Sequence, residues 1–88
     1  MPEIEITESF KKNYENLPEH LKKKVIKALE FLAQDPRYPG LQTKPIKGAK
    51  GIYEARVDQA YRMTYERLSG DVLRMRVVGK HDETLKNR

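Results

Sequence analysis

Three runs in the second half of the chain, near residues 52–57, 61–67 and 72–78, place apolar side chains at every second position. That period belongs to strands with one buried face, and three in succession predict an antiparallel sheet. In YEARVDQAYRMTY, residues 53–65, the apolar positions are Tyr53, Ala55 and Val57, then Tyr61, Met63 and Tyr65. Between them stand Glu54, Arg56, Arg62 and Thr64. A slip of one residue would turn every side chain to the wrong face, so parity predicts the register. Val57 opposite Tyr61 brings Ala55 to Met63 and Tyr53 to Tyr65, and sets Arg56 against Arg62 and Glu54 against Thr64. In the next hairpin, a turn at Leu68-Ser69-Gly70 with Arg67 opposite Asp71 matches Tyr65 to Leu73, Met63 to Met75 and Tyr61 to Val77. The same register predicts Arg62 opposite Arg76 and Thr64 opposite Arg74. The expected result is a row, Arg56–Arg62–Arg76, with Arg74 one step away.

The first half reads as helical. Ile4 and Ile6 alternate with Glu3 and Glu5 as a short first strand, and Thr7 follows as a helix cap with Glu8 in the first turn. Phe10, Tyr14 and Leu17 keep helical spacing. Pro18 suits the first turn of a second helix, where Leu21, Val25, Ala28, Leu29 and Leu32 form one apolar stripe. That helix should stop before Asp35-Pro36. Residues 35–51, with three prolines and three glycines, show no period and predict a long loop, functional or disordered. The order β-α-α-β-β-β implies an α+β domain whose helical hairpin covers one face of the sheet.

At 88 residues the whole chain, 1–88, is one domain. Its core is thin, since a chain this short buries only about two-thirds of the surface exposed when unfolded. A net charge of +5 favours acidic partners such as nucleic acid, provided the charge is clustered. There is no cysteine, no apolar run of membrane-spanning length, and no signal-peptide pattern at Met1-Pro2-Glu3. A cytoplasmic location and no membrane partner are expected.

Like charges facing each other on a sheet cost up to about 1 kcal/mol per pair. A solvated surface tolerates one such pair; three arginines in register point to an anion. Guanidinium forks match phosphate oxygens in pairs, and a bound polyanion turns the repulsion into attraction. Lys44, Lys47 and Lys50, spaced three apart in the loop, suit a nucleic-acid backbone as point charges or serve only solubility. Lys22, Lys23, Lys24 and Lys27 decorate the second helix as a solvated face.

VVGKHDE closes the third strand and sets His81 beside Asp82 and Glu83 at the edge of the arginine row. Histidine is the side chain best poised to move protons near neutrality. His20, far away in a lysine-rich helix start, is surface, and two separated histidines give no metal-ligand spacing. No cofactor motif occurs. Metal-free RNA cleavage needs a base for the ribose 2′-OH, an acid for the leaving 5′ oxygen and cations for the phosphorane. Glu54 suits the base, His81 the acid, and Arg56, Arg62 and Arg76 the cations. Arg74 and Lys80 would extend RNA binding, and Lys80 or Asp82 could replace one catalytic member.

GIYEARVDQAYRMTY followed by VLRMRVVGKHDETLK resembles the C-terminal half of the RelE/ParE toxin superfamily. There a strand, a Y-R-x-x-Y strand and a strand ending in G-x-H or G-x-R recur in that order. The helical hairpin and KPIKGAKGIYEARV fit as well, so the resemblance spans nearly the whole chain. It implies a toxin of a type II toxin–antitoxin pair, bound by a cognate antitoxin. RelE-like members cut mRNA in the A site of the ribosome, against 16S rRNA; ParE-like members inhibit DNA gyrase. By the same resemblance, Arg62 matches the arginine that acts on the scissile phosphate, and Arg56 and Glu54 fall at active-site positions of the preceding strand. An acidic residue there and a histidine after G-x are similar to the YafQ-like branch. Thr84-Leu85-Lys86 replaces the catalytic tyrosine of other members, which favours His81. The expected activity is an endoribonuclease, with a gyrase inhibitor or a silent nucleic-acid-binding relative as alternatives.

Overall fold

The computed structural model describes residues Pro2 to His81, so Asp82 and Thr84-Leu85-Lys86 lie outside the described residues. Its elements are β1 (Glu3–Ile6), α1 (Glu8–Glu15), α2 (Glu19–Gln34), a 3-10 turn (Pro39–Leu41), β2 (Lys44–Pro45), β3 (Ile52–Arg56), β4 (Tyr61–Leu68) and β5 (Val72–Lys80). They form one five-stranded sheet in the order β1-β5-β4-β3-β2, with helices packed against one face. This is the α+β arrangement that the order of elements implies. The sheet is mixed: β1 runs parallel to β5, because the two helices between β1 and the later strands act as a crossover.

Thr7 begins α1 as a cap, its Oγ1 accepting from the Phe10 N–H at 3.2 Å while donating to the Met75 carbonyl at 2.7 Å. One hydroxyl thus satisfies a helix start and ties it to β5. On α2, Leu21, Val25, Ala28 and Leu32 are buried, and the helix ends at Gln34 as the Asp35-Pro36 step demands. Val25, Ala28, Leu32 and Phe10 meet Ala55, Met63, Tyr65, Leu73, Met75 and Val78 in a single core. Each large apolar side chain buried there stabilises the fold by about 1.5–3 kcal/mol.

Between β3 and β4 the predicted register is observed: Tyr53–Tyr65, Glu54–Thr64, Ala55–Met63 and Arg56–Arg62. Between β4 and β5 it is not. Leu68 pairs with Val72, which gives Arg67–Leu73, Glu66–Arg74 and Tyr65–Met75. Two causes are visible. Asp71 has φ 60, a left-handed conformation that aspartate tolerates, so it belongs to the turn rather than the strand. A β-bulge then leaves Arg76 without a partner, and the ladder resumes at Thr64–Val77, Met63–Val78 and Arg62–Gly79. Two polar side chains of the first helical unit hold this irregular stretch: Thr7 takes the Met75 carbonyl and Asn13 Oδ1 accepts from the Val78 N–H at 3.2 Å.

The segment 35–51 is not a structureless loop. Asp35 Oδ1 accepts from the Arg37 N–H, Thr43 Oγ1 donates to the Pro36 carbonyl, and the 3-10 turn buries Leu41. Lys44 and Pro45 then add an edge strand to β3.

Candidate functional site

The sheet face away from the helices carries the ionic side chains, and they divide into two sets. In the first, the Arg74 Nε lies 2.7 Å from Glu5 Oε1, while Glu66 Oε1 sits 3.8 Å from Arg74 Nη1 and 3.4 Å from Arg76 Nη1. Arg74 and Arg76 are therefore members of a neutralised chain, Glu5–Arg74–Glu66–Arg76. The predicted row of three arginines does not form, because the shifted turn and the bulge bring Gly79, not Arg76, opposite Arg62. Arg74 likewise faces Glu66 rather than Thr64.

The second set lies across β3 and β4. Arg56 and Arg62 are direct neighbours, and among the described residues neither forms an ion pair with a carboxylate. Arg62 folds back onto the hairpin turn, its Nη1 donating to the carbonyls of Asp58, Gln59 and Tyr61. Among the described residues nothing takes the Nε and Nη2 donors, which can serve a ligand. His81, half-buried, is tied to the same turn by its backbone N–H, which donates to the Ala60 carbonyl at 2.8 Å. Strand alternation places Lys80, opposite Tyr61, on the other face from Arg62, so Lys80 is not a substitute for His81 beside the arginines.

Glu54 lies on the arginine face yet is only 3% exposed. Its Oε1 is 3.4 Å from Lys44 Nζ, and Oε2 is buried without a hydrogen-bond partner among the described residues. Lys44, expected as a free backbone contact, is instead paired to this carboxylate from the β2 edge. Lys47 and Lys50 are exposed in the turns that lead into β3.

Two residues absent from the sequence reading of the site are Asp58 and Lys24. Asp58 Oδ1 accepts from the Ala60 and Tyr61 N–H groups at 2.9 and 2.8 Å, and Oδ2 meets Lys24 Nζ at 3.3 Å. Burial alone would raise its pKa, but the two backbone donors and the lysine outweigh burial and hold the carboxyl below its ordinary value of 3.8. The sequence signal was present but ordinary, an aspartate opening a tight turn. Lys24, Lys27, Arg56 and Asp58 border a cleft of about 330 Å³ walled by Phe31 and Tyr38, whose rings stack at 4.4 Å.

No family model and no curated protein matches the sequence. Solved structures do. YafQ from E. coli strain BL21(DE3) is similar at 20% identity and a TM-score of 0.76, covering 94% of this chain and 97% of that one. The YoeB/ParE toxin from Agrobacterium tumefaciens, at 20% identity and a TM-score of 0.75, covers 90% and 98%. A chain of the RelB-RelE antitoxin-toxin complex from Methanococcus jannaschii, at 25% identity and a TM-score of 0.70, covers 90% and 92%. At these identities the likeness is one of fold, and it extends over nearly the full length of each chain.

Proposed function

We propose that this chain, which has the fold of the RelE/ParE toxin superfamily, is the toxin of a type II toxin–antitoxin pair and a metal-independent, ribosome-dependent mRNA endonuclease. The observation that carries this reading is the Arg56–Arg62 pair, two arginines opposite one another across β3 and β4 that have no carboxylate partner among the described residues, on one sheet face with Glu54 and beside the turn that takes the His81 N–H. Repulsion built into a folded surface is relieved by an anion, and a phosphodiester brings its charge to that spot.

In the proposed reaction the 2′-oxygen attacks phosphorus as Glu54 accepts its proton, after Lys44 has turned from the carboxylate to a phosphate. The bond from phosphorus to the 5′ oxygen breaks while His81 supplies the proton that oxygen needs. The products are a 2′,3′-cyclic phosphate and a 5′-hydroxyl. Arg56 and Arg62 offset the charge that builds on the phosphorane oxygens, the contribution expected to be largest. A translating extract supplied with the protein tests this, with messenger ends mapped and gyrase supercoiling assayed in parallel. Messages cut within translated codons support the reading. Intact messages with supercoiling blocked would replace it with the gyrase-inhibitor alternative.

The partner is a cognate antitoxin, acidic or presenting an amphipathic helix, as the net charge of +5 and the small core favour. The crystallised antitoxin-toxin complex of the same fold supports this assignment. Among the described residues no helix is long and apolar enough to cross a membrane.

A further inference from the structure

The turn between β3 and β4 uses its backbone in an unusual way. Hairpin turns ordinarily leave their carbonyls to water, but here each carbonyl from residue 58 to residue 61 has a protein donor. Those of Asp58 and Gln59 take Arg62 Nη1, that of Tyr61 takes Arg62 Nη1 together with the Val57 and Asp58 N–H groups, and that of Ala60 takes the His81 N–H. Oxygens gathered in this way repel one another unless a cation sits among them and something fixes the peptide planes. The cation is Arg62. Besides the backbone bonds of Val57, Asp58 and His81, the side chain that fixes the planes is the Asp58 carboxylate, which accepts from the N–H groups of Ala60 and Tyr61 and is itself anchored to α2 through Lys24.

We infer that Asp58 is a positioning residue for Arg62 and, through the same turn, for the backbone of His81. The inference rests on the nuclease reading for its functional consequence, though not for its geometry. A guanidinium held by one nitrogen has its other donors aimed in a set direction, so the orientation need not be organised when the phosphate arrives. Lys24 extends the chain of support to the helix layer, which gives a lysine of the solvated helix face a structural task.

The test pairs a spectroscopic readout with kinetics. In ¹⁵N-labelled protein at low temperature, hindered rotation should give Arg62 separate Nη resonances, assigned by their loss in Arg62→Lys. Asp58→Ala should merge them. Asp58→Asn, which keeps an acceptor for the two N–H groups, should leave them apart. In single-turnover cleavage at saturating RNA, Asp58→Ala should lose about tenfold to a hundredfold, the scale of a misplaced catalytic group, with RNA affinity changed less than about twofold. Asp58→Asn should stay within about threefold of the native rate. Separate Arg62 resonances in Asp58→Ala would overturn the inference, as would equal loss of cleavage in the Ala and Asn variants. If the native chain leaves RNA intact, the nuclease reading falls, and the resonances alone decide whether Asp58 holds Arg62. Should Asp58→Ala fail to fold, Asp58→Thr, a weaker acceptor, takes its place with the same expectation in smaller degree.

Discussion

Arg56 stands directly across from Arg62, whereas Arg76, on the same face, is paired with Glu66 at 3.4 Å. Identical side chains on one sheet thus have opposite electrostatic situations. Replacing Arg56 with glutamine should leave the free protein as stable or more stable by some tenths of a kcal/mol. It should also weaken RNA binding and lower the log–log salt slope by about one unit. Arg76→Gln should instead cost up to about 1 kcal/mol, the scale of a partly exposed ion pair, and leave the salt slope unchanged. Urea midpoints and RNA affinities at several salt concentrations separate the two.

Removing the proposed acid or the arginine proposed to bind phosphate should be felt in chemistry before stability. His81→Ala and Arg62→Ala are each expected to slow single-turnover cleavage by at least about a hundredfold. Native-rate cleavage by His81→Ala would remove histidine from the acid's role.

The Glu54–Lys44 pair is one-sided, with a buried carboxylate and a largely exposed ammonium. Truncating Lys44 to alanine leaves the acid without its partner and should destabilise the fold by about 1 kcal/mol, discounted for the exposure of the lysine. In Glu54→Gln the same truncation should cost much less. A double-mutant cycle of urea midpoints measures the difference, and additive effects would mean the pair contributes nothing.

Asp58 makes stability depend on pH in a stated direction. Its folded pKa is depressed, so its contribution is complete above the ordinary value of 3.8 and disappears as the pH falls through the lower folded value. Lys24, Lys27 and Arg56 border the same cleft. The stability advantage of the native chain over Asp58→Asn should therefore be constant from neutrality to about pH 5 and shrink on further acidification. Denaturation midpoints at matched ionic strength report it.

The turn before β5 offers a test of register. Asp71 sits at φ 60, where a β-branched residue is strained. Asp71→Val should destabilise by about 1–2 kcal/mol, while Asp71→Gly should be near neutral, as thermal unfolding of the two variants would reveal.

How much of this was legible in the sequence differs from hairpin to hairpin. β3 and β4 alternate on both faces, so a wrong register between them would have buried arginine and exposed methionine. Parity was enough there. Between β4 and β5 parity was satisfied by more than one pairing, and the choice was made by groups that parity ignores. Asp71 moved into the turn, and Thr7 and Asn13, some 65 residues or more away in sequence, hold the bulge at Arg76. The parallel pairing of β1 with β5 left no local mark either, because a crossover is specified by the packing of α1 and α2 rather than by Glu3–Ile6 themselves. Of the candidate site, Arg56, Arg62, Glu54 and the end of β5 at His81 share one region, as their spacing indicated. The neutralisation of Arg74 and Arg76 depended on the register, and was lost with it.

The strand order has a consequence for how the molecule comes into being. Among the described residues β5 is the last strand made, yet it lies between β1 and β4. A nascent chain that ends before Val72 has no neighbour for β1, no acceptor for the Thr7 hydroxyl at Met75, and no Leu73, Met75 or Val78 to close the core. Synthesis proceeds at about 5–20 residues per second, so for about one to two seconds the helices and the first hairpin exist without the strand that joins them. The sheet then closes in one late step, as β5 enters between β1 and β4 and brings the His81 N–H to the Ala60 carbonyl.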